Sequence, residues 1–197
     1  KDGIIRWGAN NLYPQWLNWL YYSSAIHQGI INSKVFFTTS EGLKDNLSIQ
    51  PTIEMFNPLI SEISKQLEIS DSYYLKCRLD AGLKKVEKIT VIPYEWVRLS
   101  EEADTYVICE AWNDRSAPRS YLKTLTAKES DDMFFIIPFK VDPMQMLMNG
   151  QGRILTENFY PVTPYNGAIK SILSDIEIVD YQLSEIVNNF SLGTILS

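Results

Sequence analysis

The sequence predicts an α+β fold with N-terminal helices, an antiparallel β meander and a long C-terminal amphipathic helix. Two observations predict it: apolar residues recur at helical spacing near both ends of the chain, and after Ser70 the period changes to that of strands. Helices, then strands, then a helix is the order typical of α+β proteins. We expect one domain over 1–197, with a helical part at 1–69, a β-rich part at 70–158, and a helix with an exit strand at 159–197.

The helical part begins after an extended segment that ends in the Gly8–Asn11 turn. Pro14 is acceptable in the first turn of a helix, and Ser23 and Ser24 can cap the next one. Pro58 should kink or split a third helix. These three helices are predicted at Leu12–Tyr22, at Ala25 to about Phe37, and from Gln50 to about Leu67.

The β-rich part contains runs with strand-like composition separated by turn residues. The first two runs, joined by Asp80-Ala81-Gly82, should form a hairpin. Tyr94–Arg98 is expected to be a short turn with an aromatic anchor, and the stretch from Asp142 to Gly152 a loop. The predicted strands are Tyr73–Asp80, Lys84–Pro93, Thr105–Asn113, Tyr121–Thr126 and Met133–Phe139.

The C-terminal helix carries the clearest pattern. Pro161 and Pro164 fix an extended approach to it, because each locks its own φ and pushes the preceding residue out of the helical region. The apolar positions then alternate in steps of four and three, which is the spacing of one helix stripe. That stripe is Tyr165, Ile169, Ile172, Ile176, Val179, Leu183, Ile186 and Phe190. Gly193–Ser197 is strand-like and has no terminal cap, and the chain starts at Lys1; we expect a piece of a longer protein.

Composition limits the function classes. The chain has 197 residues, 45% hydrophobic and 21% charged, which is ordinary for a globular protein. Its net charge of −6 opposes non-specific binding to a polyphosphate. Cys77 and Cys109 lie in strand-like runs and are predicted to be buried free thiols rather than a disulfide, which weakly favours a reducing, intracellular setting. No run approaches the roughly 18 to 20 apolar residues of a membrane helix, and no signal peptide is visible.

Candidate catalytic residues each have a simpler interpretation. His27, the sole histidine, lies near Ser23 and Ser24, but a hydrolase would need a positioned carboxylate and an oxyanion hole, and no Gly-x-Ser-x-Gly elbow occurs. We expect a structural or partner-contact role for His27. The sequence therefore predicts no catalytic residue and no enzyme.

The acidic pairs and the glycines also have simpler interpretations than a catalytic or binding site. The pairs Asp131-Asp132, Glu101-Glu102 and Asp175 with Glu177 are interpreted as solvated charge, although Asp175 and Glu177 could face a neighbouring subunit or a channel. Asn149–Arg153 lacks the strand and helix of a dinucleotide site, and no Walker motif is present. We therefore predict no cofactor and no metal.

Small basic groups lie among aromatic residues in the β-rich part. They comprise Lys84, Lys85 and Lys88, and Arg115, Arg119 and Lys123, near Tyr94, Trp96, Trp112 and Tyr121. Such interleaving can bind single strands, but solvated lysines on hairpin faces are the interpretation we favour. The N-terminal rings cannot all share one face, so some should meet another element or another chain. These rings are Trp7, Tyr13, Trp16, Trp19, Tyr21 and Tyr22.

Four segments together resemble portal proteins of tailed bacteriophages, especially those of prophages from the Bacteroides group. The segments are Trp7–Pro14 with His27–Ile31, Tyr73–Lys76 with its hairpin, Ile92–Arg98 with its Pro-x-x-x-Val-Arg element, and Asn158–Gly193 with its Pro-Tyr-x-Gly-Ala and Asn-Asn-Phe-Ser elements. The resemblance covers most of the chain in the right order and is closest to the wing-like part of a portal.

The resemblance implies a dodecameric ring at one vertex of the phage head. Double-stranded DNA would pass through its channel without sequence readout, and the terminase, head-to-tail adaptors and capsid proteins would be partners. It places the protein in the virion, and in the bacterial host cytoplasm during assembly. Two other hypotheses remain open: an aromatic-rich, non-catalytic binding or adaptor domain, and an enzyme with unrecognised carboxylates.

Overall fold

A computed structural model of the protein describes residues 3–42, 56–101, 104–129, 131–139 and 160–195, with the side chains of the last helix described through Asn188. The predicted beginning of the third helix, Glu102, and the predicted loop from Asp142 to Gly152 lie outside these residues. The α+β class is confirmed, with helices, antiparallel sheets and a long C-terminal helix.

The first two helices are α1 at Tyr13–Ser23 and α2 at Ala25–Thr39. Pro14 occupies the first turn of α1, where its missing N–H would have no partner in any case. The Ser24 side chain accepts a hydrogen bond from the backbone N of His27 at 3.1 Å and so caps α2. Both predicted helices are confirmed to within two residues at their ends.

A 3-10 turn at Asn57–Leu59 precedes α3 at Ile60–Ser70. Pro58 lies in that turn, so the predicted split at the proline is confirmed. At its other end α3 stops at Asp71, whose φ of 56° is in the left-handed region that ends many helices.

Six strands form two antiparallel sheets of three strands each in the described part of the chain. They are β1 at Tyr74–Leu79, β2 at Val86–Ile92, β3 at Val97–Leu99, β4 at Thr105–Ile108, β5 at Ser120–Lys123 and β6 at Phe134–Pro138. The β1–β2 hairpin is confirmed, with Leu75 opposite Val91 and Cys77 opposite Ile89. A 3-10 turn at Tyr94–Trp96 connects the sheets, as expected for the aromatic turn.

The two sheets differ in strand order. Strands β3, β4 and β5 follow one another as a meander, whereas the first sheet has the order β2-β1-β6. Strand β6 pairs with β1 with Tyr74 opposite Pro138 and Arg78 opposite Phe134, a pairing between distant parts of the chain. Strand β4 is shorter than predicted: it ends at Ile108, the Cys109 N–H makes one further bond to the Trp96 carbonyl, and turns follow.

The last helix, α4, spans Ile169–Ile195 after a 3-10 turn at Asn166–Ala168. The predicted exit strand is wrong over Gly193–Ile195, because these residues continue α4. Each residue added to an existing helix gains one backbone hydrogen bond, whereas a strand gains such bonds only when a second strand pairs with it.

The main core lies between the helices and the sheets. Leu17 and Leu20 of α1, Val97 of β3, and Ile136 of β6 have no accessible surface. The first turns of α4 contribute Ile172 and Ile176 to the same core. A smaller cluster of Cys77, Leu79 and Phe135 lies between β1 and β6.

Candidate assembly surface and the buried junction behind it

Arg98 is the most constrained polar residue of the fold. Its side chain has no accessible surface, and its guanidinium donates to five acceptors. Nε donates to Oδ1 of Asn11 at 2.6 Å, and Nη2 to the Asn11 carbonyl at 2.7 Å. The other three acceptors are the carbonyls of Glu95 and Val97 and Oε1 of Gln15. Burial lowers the pKa of Arg98 to about 10, so the guanidinium stays charged at neutral pH.

Tyr160 completes this cluster from the other end of the chain. Its ring stacks on Trp7 with centroids 4.4 Å apart and planes 9° from parallel. Its hydroxyl donates to the Ile5 carbonyl at 2.6 Å and accepts from the Leu99 N–H at 2.8 Å. Arg98 lies 5.8 Å from the Trp7 ring, within the range of a cation–π contact. We call Trp7, Asn11, Arg98 and Tyr160 the junction.

The junction joins three segments that are far apart in sequence. Asn11 and Arg98 are 87 positions apart, and Tyr160 and Ile5 are 155 positions apart. Each of these segments was singled out by its motif in the sequence, but nothing local indicated that they meet. Arg98 lies between Val97 and Leu99 in a short apolar run, so sequence reasoning missed its role as an organising residue.

A second contact ties α4 to the first helices. Oγ of Ser24 donates to Oδ2 of Asp175 at 2.6 Å while it caps α2. The interpretation of Asp175 as solvated charge is therefore wrong, because the carboxylate is half-buried and bonded across 151 positions. Glu177 is exposed, as expected.

These residues raise again the question of a Ser–His–Asp arrangement. The contact that His27 makes with Ser24 is through its backbone N, not its imidazole, and Ser24 is buried, with 1% of its surface exposed. A nucleophilic serine needs the imidazole as its base. The geometry is that of a helix cap held by a carboxylate.

The imidazole of His27 packs edge-on against Tyr165, with ring centroids 4.2 Å apart. Nε2 of His27 and the Tyr165 hydroxyl are buried, and neither has a hydrogen-bond partner among the described residues. Burial lowers the pKa of His27 and raises the pKa of Tyr165 to about 12, so both groups are neutral at pH 7. A neutral, packed imidazole fits the structural role expected for this residue.

The remaining candidate residues lie on the surface. Asp131 and Glu101 are exposed, and Oδ2 of Asp132 accepts from the Glu129 N–H at 2.7 Å. Lys84, Lys85 and Lys88 are exposed at the hairpin. Lys123 pairs with Glu129 at 2.5 Å, whereas Arg115 and Arg119 lie in the loop between β4 and β5.

Cys77 and Cys109 are buried free thiols, as predicted. Burial raises the pKa of Cys77 to about 11, which keeps it protonated and inert. Among the residues described, no group of three His, Cys, Asp or Glu side chains is placed to hold a metal ion. Over the same ranges, no helix combines the length and apolarity that crossing a membrane requires.

The largest unexplained feature is the second half of α4. Ile172 and Ile176 are buried, at 7% and 5% exposure, but every side chain from Glu177 to Asn188 is exposed. The same helical face continues past Ile176 as Val179, Leu183 and Ile186, which we call the exposed stripe. These three side chains are 44%, 55% and 53% exposed. By helix geometry, the part of α4 beyond Ile176 is about 28 Å long.

Further apolar side chains are exposed on α1 and α2. Trp19 and Tyr22 of α1 are 47% and 65% exposed, and other large side chains are exposed on α2. The α2 side chains are Ile26, Ile30, Phe36 and Phe37. The rings of the N-terminal stripe are therefore divided, with Trp7 and Tyr21 in the core and Trp19 and Tyr22 outside, as the helical spacing predicts.

Comparison of the chain with protein-family models, with curated proteins and with solved structures gives no match. Function must therefore be argued from the geometry of the chain itself.

Proposed function

We propose that the chain is a structural subunit of a bacteriophage portal ring, through which DNA is packaged and ejected. The observation that carries this proposal is the exposed stripe of α4. An apolar face of this length is costly to leave in water, and contiguous exposed patches of this kind mark association surfaces. The family resemblance of the motifs supplies the kind of assembly.

The spacing of α4 supports association along this helix. Ile172, Ile176, Val179, Leu183 and Ile186 follow one another in steps of four, three, four and three. This alternation averages 3.5 residues and is the seam of a helix that packs lengthwise against another surface. Fully burying one such aliphatic side chain contributes about 1.5–3 kcal/mol, so half-exposed side chains each retain roughly half of that for a partner.

The junction supports the proposal in a second way. A subunit of a ring transmits load between its neighbours, and it needs a body in which distant segments are tied together. Arg98 and Tyr160 tie the N-terminal segment, β3 and the approach to α4 to one another. Asp175 ties the beginning of α4 to the cap of α2.

In this role the chain needs no motor of its own. The terminase, head-to-tail adaptors and capsid proteins are the proposed partners, together with double-stranded DNA that slides past without sequence readout. The net charge of −6 suits such sliding, because it weakens the overall attraction of the chain to the DNA backbone. The proposed location is the virion, and the host cytoplasm during assembly.

The exposed aromatic residues of α1 and α2 favour a second candidate, a non-catalytic adaptor domain. Trp19, Tyr22 and Phe37 are the kind of large side chains that anchor protein interfaces. An adaptor would use them to bind a peptide or glycan as a monomer, whereas a portal would bury them between subunits.

The experiment compares two charge substitutions on α4 in the full-length gene product. Leu183→Glu places a charge in the exposed stripe, and Ile178→Glu places the same charge on another face of the helix at nearly equal exposure, 54% against 55%. Net charge changes equally, and helix propensity changes little in either variant and is slightly improved by Ile178→Glu, so a loss of assembly confined to Leu183→Glu reports the face. Negative-stain microscopy and light scattering give the size of the assembly.

We expect rings from the wild-type protein and from Ile178→Glu, and loss of rings with Leu183→Glu. A strictly monomeric full-length protein with a tight peptide or glycan ligand would contradict the portal and favour the adaptor. If Leu183→Glu still formed rings, the portal proposal would stand, but the exposed stripe of α4 would not be the contact surface between subunits. Genes for a large terminase beside this gene would be independent support.

A further inference from the structure

A cavity of about 210 Å³ opens between the N-terminal segment and the loop that joins β4 to β5. Its cationic lining residues are Arg6 on one side and Arg115 and Arg119 on the other. Trp112 forms part of the wall, held in place because its Nε1–H donates to the Trp96 carbonyl at 3.1 Å. Of the described residues that line the cavity, three are arginines and none is acidic.

The polar groups that this cavity can offer are mainly donors. Oδ1 of Asn10 accepts from the Leu12 N–H at 3.0 Å, which leaves the amide NH₂ as its remaining polar group. Oδ1 of Asn11 accepts from the Trp7 N–H at 3.0 Å and from Arg98 at 2.6 Å, which leaves its NH₂ in the same way. Because N–H groups bond only to the oxygen of an amide, both orientations are fixed.

Among the described residues, no ion pair joins a carboxylate to an arginine of the cavity. Oδ1 of Asp114, which precedes Arg115 in the loop, accepts from the N–H and the hydroxyl of Ser116 at 2.8 and 2.7 Å. In the described ranges the ion pairs join Lys34 to Glu68, Arg78 to Glu87 and Lys123 to Glu129. None of these pairs uses an arginine of the cavity.

We propose that this cavity binds a phosphoryl group. A cavity lined by donors selects a ligand that only accepts hydrogen bonds, and guanidinium groups match the geometry of phosphate oxygens. A carboxylate has two oxygens and neutralises one of three charges, whereas a phosphate carries more charge and enough oxygens for several donors at once. The volume admits a phosphoryl group with water around it.

The Trp112 ring in the wall of the cavity positions one of its arginines. Trp112 contacts the guanidinium of Arg119 at 5.6 Å and that of buried Arg98 at 4.8 Å. Arg119 is thereby half-buried and oriented before any ligand arrives. The phosphoryl group can come from two sources, a free or terminal phosphate or the phosphodiester backbone of a nucleic acid.

Calorimetric titration of the chain with inorganic phosphate tests the proposal. The variants Arg115→Ala and Arg119→Ala should each weaken binding by about tenfold, since a hydrogen bond to a charged group contributes roughly the energy of one decade in affinity. Arg115→Lys keeps the charge but loses the two-pronged geometry and should recover only part of the binding. Arg78→Ala is the matched control, because Arg78 is a half-exposed arginine whose partner Glu87 lies on the hairpin.

A short single-stranded oligonucleotide without terminal phosphates identifies the source. Displacement of phosphate by the oligonucleotide assigns the cavity to a phosphodiester backbone, and binding of phosphate that the oligonucleotide leaves unchanged assigns it to a free or terminal phosphate. Acetate or chloride binding as well as phosphate, no saturable phosphate binding, or equal binding by Arg115→Ala and Arg78→Ala would each overturn the proposal. Ring assembly plays no part in these measurements, so their failure and that of the portal proposal are distinguishable.

Discussion

Replacing Arg98 by Met should destabilise the protein by about 4 kcal/mol. The substitution keeps a long side chain in the junction but removes all five donated hydrogen bonds. It leaves the carbonyls of Asn11, Glu95 and Val97 without this donor inside the fold. Unpaired buried acceptors are the main cost of such a change.

The magnitude follows from two opposing terms. Five bonds from a charged donor, at about 1.5 kcal/mol each, contribute roughly 7 kcal/mol. Lowering the pKa of Arg98 from 12.5 to about 10 corresponds to roughly 3 kcal/mol of burial cost, which the substitution relieves. The difference of about 4 kcal/mol lies within the range measured when buried charges lose their partners. It would consume a large part of the 5–15 kcal/mol stability of an ordinary domain.

Urea unfolding followed by tryptophan fluorescence measures this loss, since Trp7 and Trp112 both contact Arg98. Arg98→Lys keeps the charge with fewer and differently placed donors, so about half of the loss is expected. Arg78→Met, which breaks an exposed ion pair with Glu87, should cost less than about 1 kcal/mol. If the free energy of unfolding of Arg98→Met were within about 0.5 kcal/mol of that of the wild type, the hydrogen bonds of Arg98 would not stabilise the fold as argued.

Three further experiments test the hydroxyl of Tyr160, the cap at Ser24 and the titration of Asp71. Tyr160→Phe keeps the stack on Trp7 but leaves the Leu99 N–H without its acceptor, so we expect a loss of about 1–2 kcal/mol in urea unfolding. Ser24→Ala should cost about 1–2 kcal/mol through the lost cap, and a double-mutant cycle with Asp175→Ala should be non-additive because the two side chains bond to each other. Burial, with the charge of Glu68 as second cause, raises the pKa of Asp71 to about 6. Its contribution to stability is therefore complete below about pH 4 and lost as pH rises through about 6. Asp71→Asn, which tolerates the left-handed φ, should remove this dependence and stabilise the protein at pH 7 by about 1 kcal/mol; a pH series of thermal melts that is parallel for both proteins would contradict it.

Local patterns predicted much of the fold because they report on local physics. The ends of α1 and α2 follow from Pro14 and Ser24, and the hairpin follows from Asp80-Ala81-Gly82 between two strand-like runs. Cys77 and Cys109 could be placed inside because small apolar side chains within strands pack against a core. In each case the signal lies within a few residues of the feature.

The parts that were missed depend on contacts between distant residues. The place of β6 beside β1 has no local signal, because β6 has strand character whichever partner it finds. The sequence predicts Asp175 to be a solvated side chain on a helix surface, because nothing near it in the chain indicates its contact with Ser24. The strand-like run Gly193–Ser197 predicts an exit strand, but weak strand propensity yields over Gly193–Ile195 to a helix that is already formed.

The sequence predicts that α4 has an apolar face, but it does not predict which part of that face is exposed. The apolar stripe of α4 could be read from its spacing, yet spacing alone does not separate core from interface. Ile176 and Leu183 occupy equivalent positions in the repeat. Ile176 is buried and Leu183 is exposed because the core covers only the first turns of α4. The arginine cavity could not be predicted, because Arg6 lies more than a hundred positions from Arg115 and Arg119.

The charges of α4 indicate which kind of contact its exposed stripe can make. From Ser171 to Ser197 the chain has four acidic residues, Asp175, Glu177, Asp180 and Glu185, and no lysine or arginine. Lys170, in the first turn, is the single cation of α4, so two copies packed along their exposed stripes would have few opposite charges to pair, which opposes a twofold helix pair. Docking of α4 on another surface of a neighbouring subunit avoids that repulsion, and such a contact is heterologous. Heterologous contacts build rings when the rotation closes and open filaments when it does not, so a heterologous contact through α4 is compatible with the ring that we propose.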